Sequence, residues 1–195
     1  IYTLSLHDAL PISFGVNMLA VADGRPETLG LVPIIRHHVK FQYELATRKY
    51  KTLLAKELDK KEIQEGLIRA CDVIDLIIEI LRGSRNIKDA KSCLMNGVTE
   101  NIKFKTKESE KKASKLNFTE RQATAILEMR LYKLIGLEVE ALMDEHNTTL
   151  KNIAEYEDIL TNRSTMAKVI MKELDALKKN YSRERRTRID NVEAA

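Results

Sequence analysis

Two neighbouring histidines, two cysteines and a knot of arginines are the groups in this sequence best suited to chemistry. His37 and His38 would suit a metal ion or a proton relay, but adjacent residues on a helix point about 100° apart and do not readily reach one ion together. A solvated helix face fits them better. Cys71 and Cys93 stand 22 residues apart, with no CxxC pair and no histidine at ligand spacing, so they read as reduced thiols of a cytosolic protein. No spacing motif joins Ser, Cys and His into a nucleophilic set. The sequence therefore offers no catalytic, cofactor-binding or metal-binding constellation. Arg183, Arg185, Arg186 and Arg188 form the densest basic cluster, suited either to DNA phosphate or to acidic groups of neighbouring protein.

The elements that carry these groups are constrained by composition. Charged residues make up 32% of the chain and aromatics 5%, with no Trp, a profile of long helices rather than of a compact mixed core. The 33 basic and 29 acidic residues leave a net charge of +4. Charge interspersed in this way solvates helix faces, and it permits nucleic-acid binding without demanding it. The apolar run Val73 to Leu81 is interrupted by Asp75 and Glu79 and falls short of the roughly 18 residues of a membrane span. No membrane partner is expected.

The opening IYTLSLHDALPI has neither the basic start nor the small-residue cleavage site of a signal peptide. Thr3 to Ile12 back-translates as ACT CTT TCC CTA CAC GAC GCT CTT CCG ATC, which resembles a common short-read sequencing adaptor read in one frame. Residues 1–12 are accordingly expected to be an artefact, which removes His7 and Asp8 as site candidates. The natural protein is expected to continue upstream of Ser13.

From Ser13 the alternation of Val16, Met18 or Leu19, and Val21 before Asp23-Gly24 predicts two short strands and a tight turn. Pro33 suits the first turn of a helix. Val39, Tyr43, Ala46, Tyr50 and Leu53 then alternate spacings of four and three, the seam of a coiled coil. After the polar Lys60-Lys61-Glu62 the pattern resumes as a strongly apolar stretch, Ile63 to Leu81, with Gly83 in place for a left-handed C-cap. A short helix is predicted from Asn86 to Met95, stopping near Gly97, and residues 98–117 read as an exposed connection with some helix. Thr119-Glu120-Arg121-Gln122 forms a capping box for an apolar helix through Ala123, Ile126, Leu127, Met129, Leu131 and Leu134, which bends at Ile135-Gly136. A returning helix follows, with Leu150, Ile153, Tyr156 and Leu160, then Ala167, Ile170, Leu174, Leu177 and Tyr181 beyond an interruption at Asn162-Arg163-Ser164. The expected architecture is mainly α: a long antiparallel coiled-coil arm, a small helical dimerisation lobe and a short β hairpin near the N-terminus. Each arm helix would reach roughly 40 Å at 1.5 Å per residue.

Three blocks in this order, FGVNMLAVADGRP, TERQATAILEMRLYKLIGLE and RERRTRI, resemble the A subunit of DNA gyrase and topoisomerase IV. The resemblance spans Ser13 to about Ile189, and Thr119 to Glu138 is its most specific part. It implies an ATP-dependent enzyme that cuts one DNA duplex, passes another through the break and reseals it. ATP and Mg2+ would belong to the whole enzyme, on a separate ATPase subunit, with no cofactor held by this segment. In those terms residues 13–33 end the tower region, 34–62 are the outgoing helix, 63–136 the exit-gate lobe, 137–182 the returning helix and 183–195 a basic return segment.

The resemblance also implies a homodimer closed through Ala123, Ile126, Leu127, Met129, Arg130, Leu131 and Leu134. Periodicity alone leaves that stripe equally readable as lobe core. The family's nucleophile is an upstream tyrosine beside an arginine, and nothing here matches it. Tyr43, Tyr50, Tyr132, Tyr156 and Tyr181 all sit within helical repeats, so the segment alone should be inactive. Residues 98–117 depart from the better-known gyrase pattern, which puts the lobe's outline in question. Two other readings share the same seams: a structural coiled-coil dimerisation module, and a nucleic-acid-binding helical arm.

Overall fold

The computed structural model of the chain describes residues 15, 17–130, 136–184 and 186. It divides into two units, one made of the residues up to Ala46 together with those from Ile170 onward, the other of Thr47–Val169.

In the first unit β1 (Leu19–Ala22) pairs antiparallel with β2 (Arg25–Thr28), Leu19 opposite Thr28 and Ala22 opposite Arg25. Asp23 and Gly24 make the expected turn with φ of 49° and 80°. A two-residue turn with both centres left-handed follows the twist of the strands, and Asp and Gly reach that conformation with little steric penalty. Helix α1 begins at Leu31 and holds Pro33 in its first turn, where the missing N–H has no helical partner. Lys40 Nζ lies 3.6 Å from the Asp23 carboxylate and ties helix to turn.

α1 runs unbroken from Leu31 to Asp72, 42 residues, or about 63 Å at the α-helical rise. Lys60-Lys61-Glu62, where the sequence pattern suggests that arm gives way to lobe, does not interrupt it. Lys and Glu are strong helix formers, and Lys61 and Glu65 face each other one turn apart at 3.8 Å. The break comes instead at Val73 (φ −119°, ψ 27°), which splits the apolar stretch expected as one helix and starts α2 (Ile74–Gly83).

Gly83 does not take the left-handed conformation expected of it; it is the last helical residue, followed by an extended Ser84. Its role is spatial, since a Cβ there would stand 2.4 Å from the Lys103 carbonyl oxygen. That close approach brings the following segment against α2, where Ser84 and Ile102 form a lone antiparallel bridge. Helix α3 (Ile87–Asn96) matches its expectation closely: the Asn86 side chain accepts from Asp89 N–H at 2.8 Å, and Gly97 ends the helix at φ 65°.

Residues 98–117 are less exposed than expected. They include α4 (Lys107–Ala113), and Ile102 and Ala113 are buried. The lobe core gathers Ala70, Ile77, Ile80, Ala90, Cys93, Leu94, Ile102, Ala113, Phe118, Ala123 and Ile126, with contributions from α1 to α5. Helix α5 spans Glu120–Leu127.

α6 (Gly136–Thr161) and α7 (Arg163–Tyr181) form the returning stretch, parted only at Asn162, within the expected interruption. In the second unit the return is antiparallel to α1. Thr47 Oγ1 meets Met166 Sδ at 3.8 Å, the Tyr50 and Tyr156 rings lie 5.6 Å apart, and Lys60 Nζ pairs with Glu145 at 2.7 Å. The buried positions of α6 and early α7 are Thr149, Ile153, Ile159 and Met166, with Tyr156 half-buried between them. Leu150, expected in the seam, faces outward, as do Val39, Leu174, Leu177 and Tyr181. Periodicity reports that a face is apolar, not that anything covers it.

Candidate functional site

The site that the sequence singles out lies on α5 and the residues after it. Its start is over-determined. Thr119 Oγ1 accepts from Gln122 N–H at 3.3 Å while Gln122 Oε1 accepts from Thr119 N–H at 3.1 Å, the reciprocal capping box expected from Thr-Glu-Arg-Gln. The same residues also bind α1. Thr119 Oγ1 donates to Glu62 Oε1 at 2.6 Å, Arg121 Nη1 donates to Asp59 at 2.6 Å and to Glu62 Oε2 at 3.3 Å, and Gln122 Nε2 donates to the Glu62 carbonyl at 2.8 Å. The hydrogen bond from Arg121, and then its charge, hold the Asp59 carboxyl below its usual range. The Arg121 guanidinium is shifted upward, chiefly by its hydrogen bond to Asp59. Both side chains are exposed, so the pair contributes orientation more than stability.

α5 then turns its inner face to the lobe. Ala123 and Ile126 are buried in the chain's own core. Leu127 packs on the rim of that core and remains half-buried. The helix closes there, with Glu128 N–H bonded to the Thr124 carbonyl and Met129 N–H to that of Ile126 at 3.2 Å. It is shorter than the continuous helix that the apolar spacing predicts, and nothing in Glu128-Met129-Arg130 is a helix breaker by type. Met129 is half-buried beside Leu67, Cys71 and Leu142, around a cavity of about 110 Å³. Arg130 is exposed. Leu131 and Leu134 lie outside the described residues, so the sequence-predicted set is brought together only as far as Arg130.

Arg183 and Arg186 are exposed beyond the end of α7, and Arg185 and Arg188 lie outside the described residues. His37 lines a surface cavity of the first unit, and His38 Nε2 sits 3.3 Å from Gln42 Nε2 on its own helix. Among the described residues no group of three or more His, Cys, Asp or Glu side chains is placed to hold a metal ion, and no helix is long and apolar enough to cross a membrane. Both cysteines are free thiols. Burial pushes Cys93 up to about 11, and burial followed by the charge of Asp72 raises Cys71.

Sequence reasoning found the capping box but missed that Gln122 also reaches α1. The available signal was Gly66, an isolated glycine inside a long helix, where a Cβ would fall 2.5 Å from Gln122 Cγ.

The arrangement is a helical lobe at the turn of two antiparallel helices, with a short bracketed helix leading to a half-buried apolar rim. Comparison with known proteins supports the family that the three blocks resemble. The family model for the A subunit of DNA gyrase/topoisomerase IV matches residues 2–175, a range that takes in most of the opening dozen residues. The DNA gyrase A subunit of Clostridium acetobutylicum is 37% identical over 187 residues, covering 96% of this chain and 20% of that protein. Its counterpart in Buchnera aphidicola, also a DNA gyrase A subunit, is 38% identical over 182 residues (92% of this chain, 21% of that protein). The DNA topoisomerase 4 A subunit of Staphylococcus epidermidis is 33% identical over 181 residues (93% and 20%). The chain belongs to the family of DNA gyrase and topoisomerase IV A subunits. It spans about a fifth of the length of these relatives.

Proposed function

We propose that this chain is the coiled-coil arm and exit gate of the DNA-cutting subunit of a type IIA DNA topoisomerase, the part that keeps two such subunits joined while DNA passes between them. The observation that carries this reading is the rim after α5. The lobe closes its core with its own residues, yet it leaves Leu127 and Met129 half-buried and Arg130 exposed, on the way to Leu131 and Leu134. When both strands of a duplex are broken, the subunits need a second attachment remote from the break. A modest apolar interface outside either core can hold and still open.

In the whole protein this arm would serve ATP-driven strand passage in the cytoplasm, with ATP and Mg2+ on a separate ATPase subunit and the cutting tyrosine elsewhere in the subunit that carries the arm. The segment itself would not cleave DNA. Arg183 and Arg186, exposed beyond α7, would meet duplex phosphate together with Arg185 and Arg188. The relatives include both gyrase and topoisomerase 4 subunits, so the activity is proposed at the level they share.

Light scattering of the chain across a concentration series tests the reading. A mass that rises to twice that of the monomer is expected, and a monomer at every concentration rejects the exit gate.

A further inference from the structure

The start of α5 holds α1 through a side chain that does two things at once. Gln122 Oε1 satisfies the Thr119 N–H, and Gln122 Nε2 crosses to the Glu62 carbonyl at 2.8 Å. The residue is 6% exposed, so this amide is enclosed between the two helices. Room for it comes from Gly66, one turn on from Glu62. A Cβ at Gly66 would stand 2.5 Å from Gln122 Cγ, 2.8 Å from its Cβ and 2.9 Å from its Cδ. These atoms are the root of the side chain, so a change of terminal rotamer would not clear them and α5 itself would have to move. A glycine in a helix interior costs about 1 kcal/mol relative to alanine, so its place here marks a requirement for close approach. Thr119 and Arg121 flank the contact with their bonds to Glu62 and Asp59.

We propose that Gln122, seated against Gly66, is a positioning residue that locks α5 to the Asp59–Gly66 stretch of α1, so that the rim following α5 keeps one orientation on the arm helix. Its consequence for contact between subunits rests on the exit-gate reading; the lock itself does not. A capping role alone would need only the acceptor. The lock needs the donor as well.

Gln122→Glu separates the two. At pH 7 the introduced carboxylate still accepts from Thr119 N–H but has no donor for the Glu62 carbonyl, and it brings a second negative charge beside Glu62. Protonated below about pH 4.3, it regains an O–H. Amide hydrogen exchange of the full chain, read at 119–127 as the ratio of variant to wild type, is expected to rise at least tenfold at pH 7 and to shrink towards one at pH 4. Gln122→Ala, which loses both functions, should exchange fast at both pH values, and Gly66→Ala should speed α5 exchange with Gln122 intact. A ratio within twofold at pH 7 that grows at pH 4 is the pattern of a cap alone and overturns the lock. Light scattering of the wild type separates the two claims: a monomer at every concentration removes the gate and leaves the exchange result to decide the lock, whereas a dimer with unchanged exchange in Gln122→Glu removes the lock only.

Discussion

Gly97 shows how much a single residue decides in the lobe. It ends α3 at φ 65°, and a Cβ there would lie 2.3 Å from the Ser114 carbonyl oxygen, in backbone that cannot swing aside. Gly97→Ala is expected to lose about 1–3 kcal/mol from the left-handed backbone, with the clash added, and a denaturant midpoint within error of wild type would contradict this. Cys93 makes a second case. Its thiol is raised to about 11 by burial, so the folded state favours the protonated form. That contribution is complete below the unfolded pKa of about 8.5 and is lost as pH rises through the folded value. Stability should fall between those limits, and alkylation of Cys93 should follow global unfolding. Rapid labelling in native buffer at pH 8 would show the site to be open. Asn86, Gly97 and Thr119 were legible in the sequence because each acts on backbone within three or four residues of itself. Gln122 was half legible: its cap is local, but Glu62 is 60 residues away.

Among the elements, helices were read from their repeats and their ends from residue type, which explains where the reading failed. Val73 and Glu128 are not breakers, yet α2 starts just after one and α5 closes just before the other. At Val73, which packs against the lobe core, tertiary packing overrides propensity. Gln64 is 4% exposed on α1, and neither atom of its amide has a hydrogen-bond partner among the described residues. A buried unpartnered polar group costs about 1–3 kcal/mol. Gln64→Leu, close in volume, is therefore expected to raise the thermal midpoint, and a fall would show that the amide is satisfied in solution. Periodicity placed this position beside the apolar Ile63 without marking it as buried, because a helix face is assigned from its apolar members.

For the whole molecule, the family was legible from three blocks while the proposed partner surface was legible only as a stripe. Ala123 and Ile126 carry the same apolar signal as Leu127, yet the structure turns the first two inward. Leu127→Glu should therefore weaken self-association at least tenfold with little change in helix content, as read by sedimentation equilibrium. An unchanged association constant would place the interface elsewhere. From Thr149 the inward positions step by four to Ile153, by three to Tyr156, by three again to Ile159, and by seven to Met166. Thr149 to Tyr156 and Ile159 to Met166 are each one heptad, so the seam keeps its phase and only Ile153 stands one residue off it. A perfectly regular seam would mesh equally well after sliding by one heptad. Lys60 against Glu145 and Tyr50 against Tyr156 serve as index marks, since a one-heptad slide would part both pairs, and the reach of the arm is thereby fixed by the sequence rather than left to slide.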